Sequence, residues 1–143
     1  ENLSIRNNLV VVSAYHGITA GGALNSVIAN NTVLHRTRAG EKHPWIRIAN
    51  HKDGRPPRNV VVANNIAPRF SISKDGTAIT LSKNLNERYP AGRLEAPYDG
   101  NFIPKADSGL VGAADPAYAP ERDIVGRSRR DASGPDLGAF ERP

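Results

Sequence analysis

The chain is predicted to be all-β, wound into three or four stacked coils and finished by an irregular closing segment. Three observations predict this. A seven-residue unit of the form N-x-x-[IV]-x-N-N recurs along the first half of the sequence. A shorter strand-like piece precedes the later copies of that unit. The composition, with 13 Gly, 11 Pro and 38% hydrophobic residues, is rich in turns and thin for one large central core.

The units align without gaps. They are Asn2-Leu3-Ser4-Ile5-Arg6-Asn7-Asn8, Asn25-Ser26-Val27-Ile28-Ala29-Asn30-Asn31 and Asn59-Val60-Val61-Val62-Ala63-Asn64-Asn65. A weaker fourth copy is Ala78-Ile79-Thr80-Leu81-Ser82-Lys83-Asn84. The first three are offset by 23 and then 34 residues, about the length of one turn of a β-coil with room for surface insertions. Strand side chains alternate faces, so Leu3, Ile5 and Asn7 are expected to share one, as are Ser26, Ile28 and Asn30, and Val60, Val62 and Asn64. The second Asn of each pair is expected at the bend, where Asn tolerates the left-handed backbone region. An Asn at the same place in successive coils can bond to its counterpart, which satisfies a buried amide and fixes the register.

The second repeated piece is His16-Gly17-Ile18-Thr19-Ala20 before Asn25, Trp45-Ile46-Arg47-Ile48-Ala49-Asn50 before Asn59, and Ser71-Ile72-Ser73 before the fourth copy. Each coil therefore has at least two strands.

The phrases HGITAGG…NSVIANNTV and WIRIANHKDG…NVVVANNIA resemble the coils of right-handed parallel β-helix proteins of the pectate-lyase-like superfamily. The tail is similar too. Asp115-Pro116-Ala117-Tyr118-Ala119-Pro120, Asp123-Ile124-Val125-Gly126-Arg127 and Gly134-Pro135-Asp136-Leu137-Gly138-Ala139-Phe140-Glu141 resemble the closing segment of bacterial secreted β-helix proteins. The resemblance implies a right-handed parallel β-helix, a carboxy-terminal position within it, and a secreted or periplasmic protein. It implies no single activity, because this architecture carries lyases, hydrolases, epimerases and non-catalytic adhesins.

The expected organisation is coils over residues 1–85, a polar crossing over 86–104 and a capping segment over 105–143. Pro and Gly in the last stretch rule out long helices or central strands there. Its expected role is to cover the last coil, whose strand edges would otherwise face water. An open coil at Glu1 predicts upstream coils of the same precursor, or another chain packed on that surface. The absence of any methionine, even at position 1, agrees with a chain cut from a longer precursor.

With no Cys, disulfides and Cys-based metal sites are excluded. No apolar run reaches the roughly 18 residues of a membrane helix. The net charge of +5 favours an anionic partner, with acidic polysaccharide, nucleic acid and anionic lipid as the classes. No nucleic-acid-binding, phosphate-loop, dinucleotide, nucleophile-elbow or zinc motif is present.

Basic residues concentrate between the second and third Asn units. From His35 to Arg58, 24 positions hold seven of the 19 Lys and Arg and three of the four His, against the acids Glu41 and Asp53. Trp45, the single tryptophan, lies among them. A positive surface with an aromatic platform suits an acidic sugar chain, since cations pair with carboxylates and the ring stacks on a sugar face. Trp45, Arg36, Arg38 and His16 are the candidate substrate-binding residues. A uronate lyase needs a cation for the carboxylate, a base for the C5 proton and an acid for the leaving oxygen. Arg47 and Lys42 are candidates for the first role, and Lys52, His43 or His51 for the base. The competing reading is a non-catalytic module with a solvated basic loop. Hydrolysis is poorly supported, because Glu41, Asp53 and Asp75 form no paired carboxylates. The tail aspartates Asp107, Asp115, Asp123, Asp131 and Asp136 could bind Ca²⁺, or could cap turns and pair with Arg127, Arg129 and Arg130.

Overall fold

The computed structural model describes residues 1–38 and 42–143; Glu41 lies outside the described residues. The chain runs through β1 (Ser4–Arg6), β2 (Leu9–Val12) and β3 (His16–Gly21), then β4 (Leu24–Ala29), β5 (Thr32–His35) and β6 (Trp45–Ala49). It continues through β7 (Arg58–Ala63), β8 (Ile66–Ala67) and β9 (Arg69–Ile72), and completes two sides of a fourth circuit with β10 (Thr77–Ser82) and β11 (Leu85–Asn86). Every third strand pairs in parallel. Sheet A is β1-β4-β7-β10, sheet B is β2-β5-β8-β11 and sheet C is β3-β6-β9. The chain is thus all-β, with stacked parallel sheets in a β-helix-like arrangement. Each circuit has three strands, one more than the minimum the sequence required.

The registers match the aligned units. Ile5 pairs with Ile28, Ile28 with Val62, and Val62 with Leu81. In sheet C, Ile18, Ile46 and Phe70 form one column and Ala20, Ile48 and Ile72 another. These columns line the interior with Val33 and Val60, and the middle coils are sealed: Ile28, Val33, Ile46, Val60 and Val62 have no exposed surface. Burying each such side chain stabilises by roughly 1.5–3 kcal/mol.

The corner between sheets A and B carries the Asn pairs, and here the two Asn exchange their expected roles. The first of each pair takes the left-handed backbone, with φ of 53° at Asn7, 52° at Asn30 and 58° at Asn64; Lys83 holds the same place at 49°. That turn breaks the strand alternation, so these amides leave the inner face and bond outward to the closing segment. The second of each pair makes the ladder. Asn8 Nδ2 donates to Asn31 Oδ1 (2.8 Å), Asn31 to Asn65 (2.9 Å) and Asn65 to Asn84 (2.9 Å). Each Oδ1 also accepts the backbone N–H of the Asn one coil back, at 3.0 Å. The second hydrogen of each Nδ2 goes to a strand carbonyl: Asn31 to Ile5, Asn65 to Ile28 and Asn84 to Val62. Buried Asn31 and Asn65 are thus fully bonded, which avoids the roughly 1–3 kcal/mol cost of an orphaned polar group.

Residues 86–104 contain more structure than a crossing. Two short 3₁₀ turns, Pro90–Arg93 and Pro97–Asp99, bracket β12 (Leu94–Ala96), which pairs antiparallel with β13 (Asn101–Pro104). Leu94 is 1% exposed and anchors this ribbon against Leu34, Ile66, Leu110 and Leu137.

The stretch 105–143 has no helix or strand, apart from one isolated bridge between Arg122 and Ser128. Its position differs from the expected one. It packs along the flank of sheet B and across the A–B corner rather than over the end of the stack. Gly138 N–H donates to the Asn64 carbonyl (2.8 Å), and Ala139 N–H to Thr32 Oγ1 (2.9 Å). At Gly138 φ is +85° and an added Cβ would meet Thr32 Oγ1 at 2.5 Å, so only glycine fits. Arg129 pairs with Glu141 in the buried centre, and also donates to Asn7 Oδ1 (3.0 Å) and to the Gly138 carbonyl (2.9 Å). The last coil stays open, with Leu81 57% exposed.

Candidate functional site

The outer face of sheet C carries three of the nine candidate residues, His16, Trp45 and Arg47. Strand alternation turns Ile46 and Ile48 inward on β6 and leaves Trp45 and Arg47 outside. The parallel register then sets His16 and Arg69 beside Trp45, and Thr19 and Ser71 beside Arg47. The register shifts between His16 and Ile18, at Gly17. A Cβ at Gly17 would come within 2.5 Å of Val33 and 2.8 Å of the Trp45 carbonyl, so a side chain there would push the Trp45 backbone away.

Trp45 is the centre of a stack. Tyr15 lies nearly parallel to it at 5.7 Å, and His16 meets it edge-on at 5.0 Å. The Arg69 and Arg47 guanidinium groups sit 5.5 and 5.8 Å from its ring centre, and Lys42 Nζ sits 5.8 Å from the Tyr15 ring. Each such cation–ring contact is worth about 0.5–1 kcal/mol at an exposed site. Among the described residues Trp45 Nε1 is buried without an acceptor, so stacking and the cation–ring contacts position the ring. Next to it Arg47, Asn50, Ser71 and Ser73 line a shallow depression of about 290 Å³. An aromatic plate, a guanidinium and a row of hydroxyl and amide groups therefore share one face.

His43 stands at the edge of this face, between Lys42 and Trp45. Its Nε2 accepts a hydrogen bond from Arg88 Nε at 2.8 Å, and its ring meets Tyr89 edge-on at 5.7 Å. Desolvation lowers its pKa, helped by the charges of Arg88 and His35. The neutral imidazole is thus favoured, but the lone pair a base would use is held by Arg88.

His51 and Lys52 lie elsewhere. They occupy the turn after β6, at the far end of the strand from Lys42 and His43, roughly 16 Å away at about 3.3 Å per strand residue. His51 Nδ1 is 2.9 Å from Asp53 Oδ1, and Arg55 Nε donates to Asp53 Oδ2 at 2.8 Å. These bonds, led by the Arg55 backbone N–H and then the His51 ring, hold the Asp53 carboxyl down at about 2. They knit a tight turn and aim away from Trp45's end of the sheet. The five residues considered for catalysis are therefore spread along one strand, with Lys42 and His43 before it, Arg47 at its centre and His51 and Lys52 beyond it.

Arg36 is exposed after β5, while Arg38 reaches the other side, 5.4 Å from the Tyr98 ring. Tyr98, Tyr89 and Lys105 line a second concavity of about 480 Å³ beside the β12–β13 ribbon. Sequence reading missed Tyr15, Arg69, Tyr89 and Tyr98. Tyr15 and Arg69 were legible in principle, because each adjoins or aligns with a repeat position already assigned. Tyr89 and Tyr98 lie outside the repeat, where no period predicts a neighbour.

Among the described residues, no three His, Asp or Glu side chains gather as a metal site. The tail carboxylates cap turns. Asp123 accepts from Val125 and Arg127 N–H (2.9 and 2.7 Å), Asp136 from Gly112 and Arg142 N–H (2.8 and 2.7 Å), and Asp131 from Ser133 N–H (3.1 Å). Asp115 accepts from Ser82 Oγ at 2.6 Å, the leading cause of its lowered pKa. No described helix is long and apolar enough to cross a membrane. No family model matches the chain, and no curated protein or solved structure was found that resembles it.

Proposed function

We propose that this chain is the carboxy-terminal part of a secreted or periplasmic right-handed parallel β-helix protein, and that the outer face of sheet C binds an acidic, uronate-containing polysaccharide. The observation that carries this reading is Trp45 set between cations, with Arg47 and Arg69 against its ring and a polar depression alongside. A sugar ring stacks on the indole, its carboxylate pairs with Arg47, and the hydroxyls of the next sugar unit reach the depression at Ser71.

Binding is supported better than catalysis. If the face is catalytic, the reaction is β-elimination, with Arg47 neutralising the carboxylate so that the C5 proton becomes acidic. That step needs a base beside Arg47. His51 and Lys52 lie in the turn beyond β6, where His51 is held by Asp53, and His43 is bonded to Arg88. The second reading, a non-catalytic β-helix module of an adhesin, tail or carbohydrate-binding cap, follows from that division.

The test is calorimetric titration with polygalacturonate, alginate and a glycosaminoglycan, using neutral dextran as control. The expected result is binding to at least one acidic polymer and none to dextran, weakened at least ~10-fold in Trp45→Ala, as for a central aromatic anchor. Equal affinity of wild type and Trp45→Ala for every polymer would sink the proposal. Appearance of the unsaturated-uronate chromophore during the titration would establish elimination; binding without it would establish the module.

A further inference from the structure

We propose that the concavity beside the β12–β13 ribbon is a second sugar subsite, continuous with the sheet C face, so that one acidic oligosaccharide occupies both. This rests on the reading above and extends it to a part of the chain outside the repeat.

The volume of about 480 Å³ lies within the roughly 300–1,000 Å³ usual for small-molecule sites. Two tyrosines line it and both keep open surface, Tyr89 at 52% and Tyr98 at 37%. Exposed aromatic rings beside a polar hollow are what a sugar face requires. The charges are arranged for a uronate. Arg38 lies 5.4 Å from the Tyr98 ring centre, and Lys105 Nζ is held to the Gly92 carbonyl at 2.8 Å, which keeps its charge at the wall. Glu95 is engaged by Arg142 at 2.6 Å. Asp99 remains as an acceptor at the mouth for a pair of hydroxyls. One uronate ring supplies all three complements: a carboxylate for Arg38, vicinal hydroxyls for Asp99 and an apolar face for a tyrosine.

The two sites are joined by a chain of contacts. Tyr89 lines the concavity and meets His43. Lys42, the neighbour of His43, lies over Tyr15, and Tyr15 stacks on Trp45. The path is aromatic and cationic throughout. It also assigns a role to Arg38, which reaches the Tyr98 ring.

Two linked subsites make affinity depend on chain length, because the second contact forms at high effective concentration once the ligand can span both. The experiment measures affinity for oligogalacturonates and oligomannuronates of about two to ten units. Wild type is expected to gain about 10-fold or more between the shortest and longest oligomers. Tyr98→Ala and Arg38→Ala are expected to erase that gain while leaving the shortest oligomers bound as in wild type, and Tyr98→Phe is expected to keep it. An unchanged gain in both alanine variants overturns the second subsite and leaves the sheet C reading standing. Undiminished binding in Trp45→Ala overturns both.

Discussion

The coil stack and the closing segment are held by opposite strategies. In the stack, every contact is made several times over. Asn8, Asn31, Asn65 and Asn84 occupy equivalent places, and so do Ile5, Ile28, Val62 and Leu81. In residues 105–143 nothing repeats. A single guanidinium, Arg129, ties Asn7 of the first coil to Asp136, Gly138 and Glu141. The repeating half distributes its stability and the irregular half concentrates it. One substitution should therefore cost more in the closing segment than in the ladder.

The largest expected effect tests that contrast directly. Arg129→Met leaves Glu141 buried without its counter-charge, and breaking a buried pair from one side costs about 3–5 kcal/mol. Hydrogen exchange should show amides at Gly138 and Ala139 losing protection while those of β4 and β7 keep theirs. Simultaneous loss in both regions would mean that the two halves fold as one unit. Asn65→Ala is the matched change in the stack. It removes one rung with four hydrogen bonds, to the Asn31 backbone N–H and Nδ2, the Ile28 carbonyl and Asn84 Oδ1, and is expected to cost about 2–3 kcal/mol. Denaturant unfolding measures both variants. A larger loss for Asn65→Ala than for Arg129→Met would break the comparison.

The third effect is a pH dependence that originates in the closing segment. Burial pushes the Glu141 carboxyl from 4.5 up to about 7, against the opposing Asp136 N–H and Arg129 charge. A carboxyl raised on folding binds its proton more tightly in the folded state. Stability should therefore fall as pH rises from about 4.5 through about 7. Wild type is expected to melt lower at pH 8 than at pH 5, and Glu141→Gln to lose most of that difference. A melting temperature in wild type that rises across this interval would contradict the assignment.

The same division explains what could be read from the sequence. Asn25, Asn59 and the hydrophobic positions between them announced sheet A because a period repeats its own evidence. The handover of roles within each Asn pair was not legible. Either Asn tolerates a left-handed φ, and only the coil geometry decides that Asn30 turns and Asn31 stacks. The position of residues 105–143 was also hidden. Leu34 and Ile66 lie just past the Asn units, in strands that no repeated piece marked, and nothing in their pattern says that their outer face is buried under Leu110 and Leu137. At the candidate site, Trp45 and Arg47 were found because they fall in the basic stretch from His35 to Arg58, and the repeat copy they open places them on one face. His51 and Lys52 were grouped with them by sequence proximity, which a strand of five residues is enough to undo.

The ladder joins residues 23, 34 and 19 positions apart with the same bond, at 2.8, 2.9 and 2.9 Å. The corner is therefore indifferent to how much chain lies between its rungs. Residues between β5 and β6, which lead into Trp45, can be lengthened, shortened or recharged without altering the frame that carries them. Such a molecule separates its architecture from its chemistry. Selection for a new ligand can rewrite the side of the stack while the corner keeps the count.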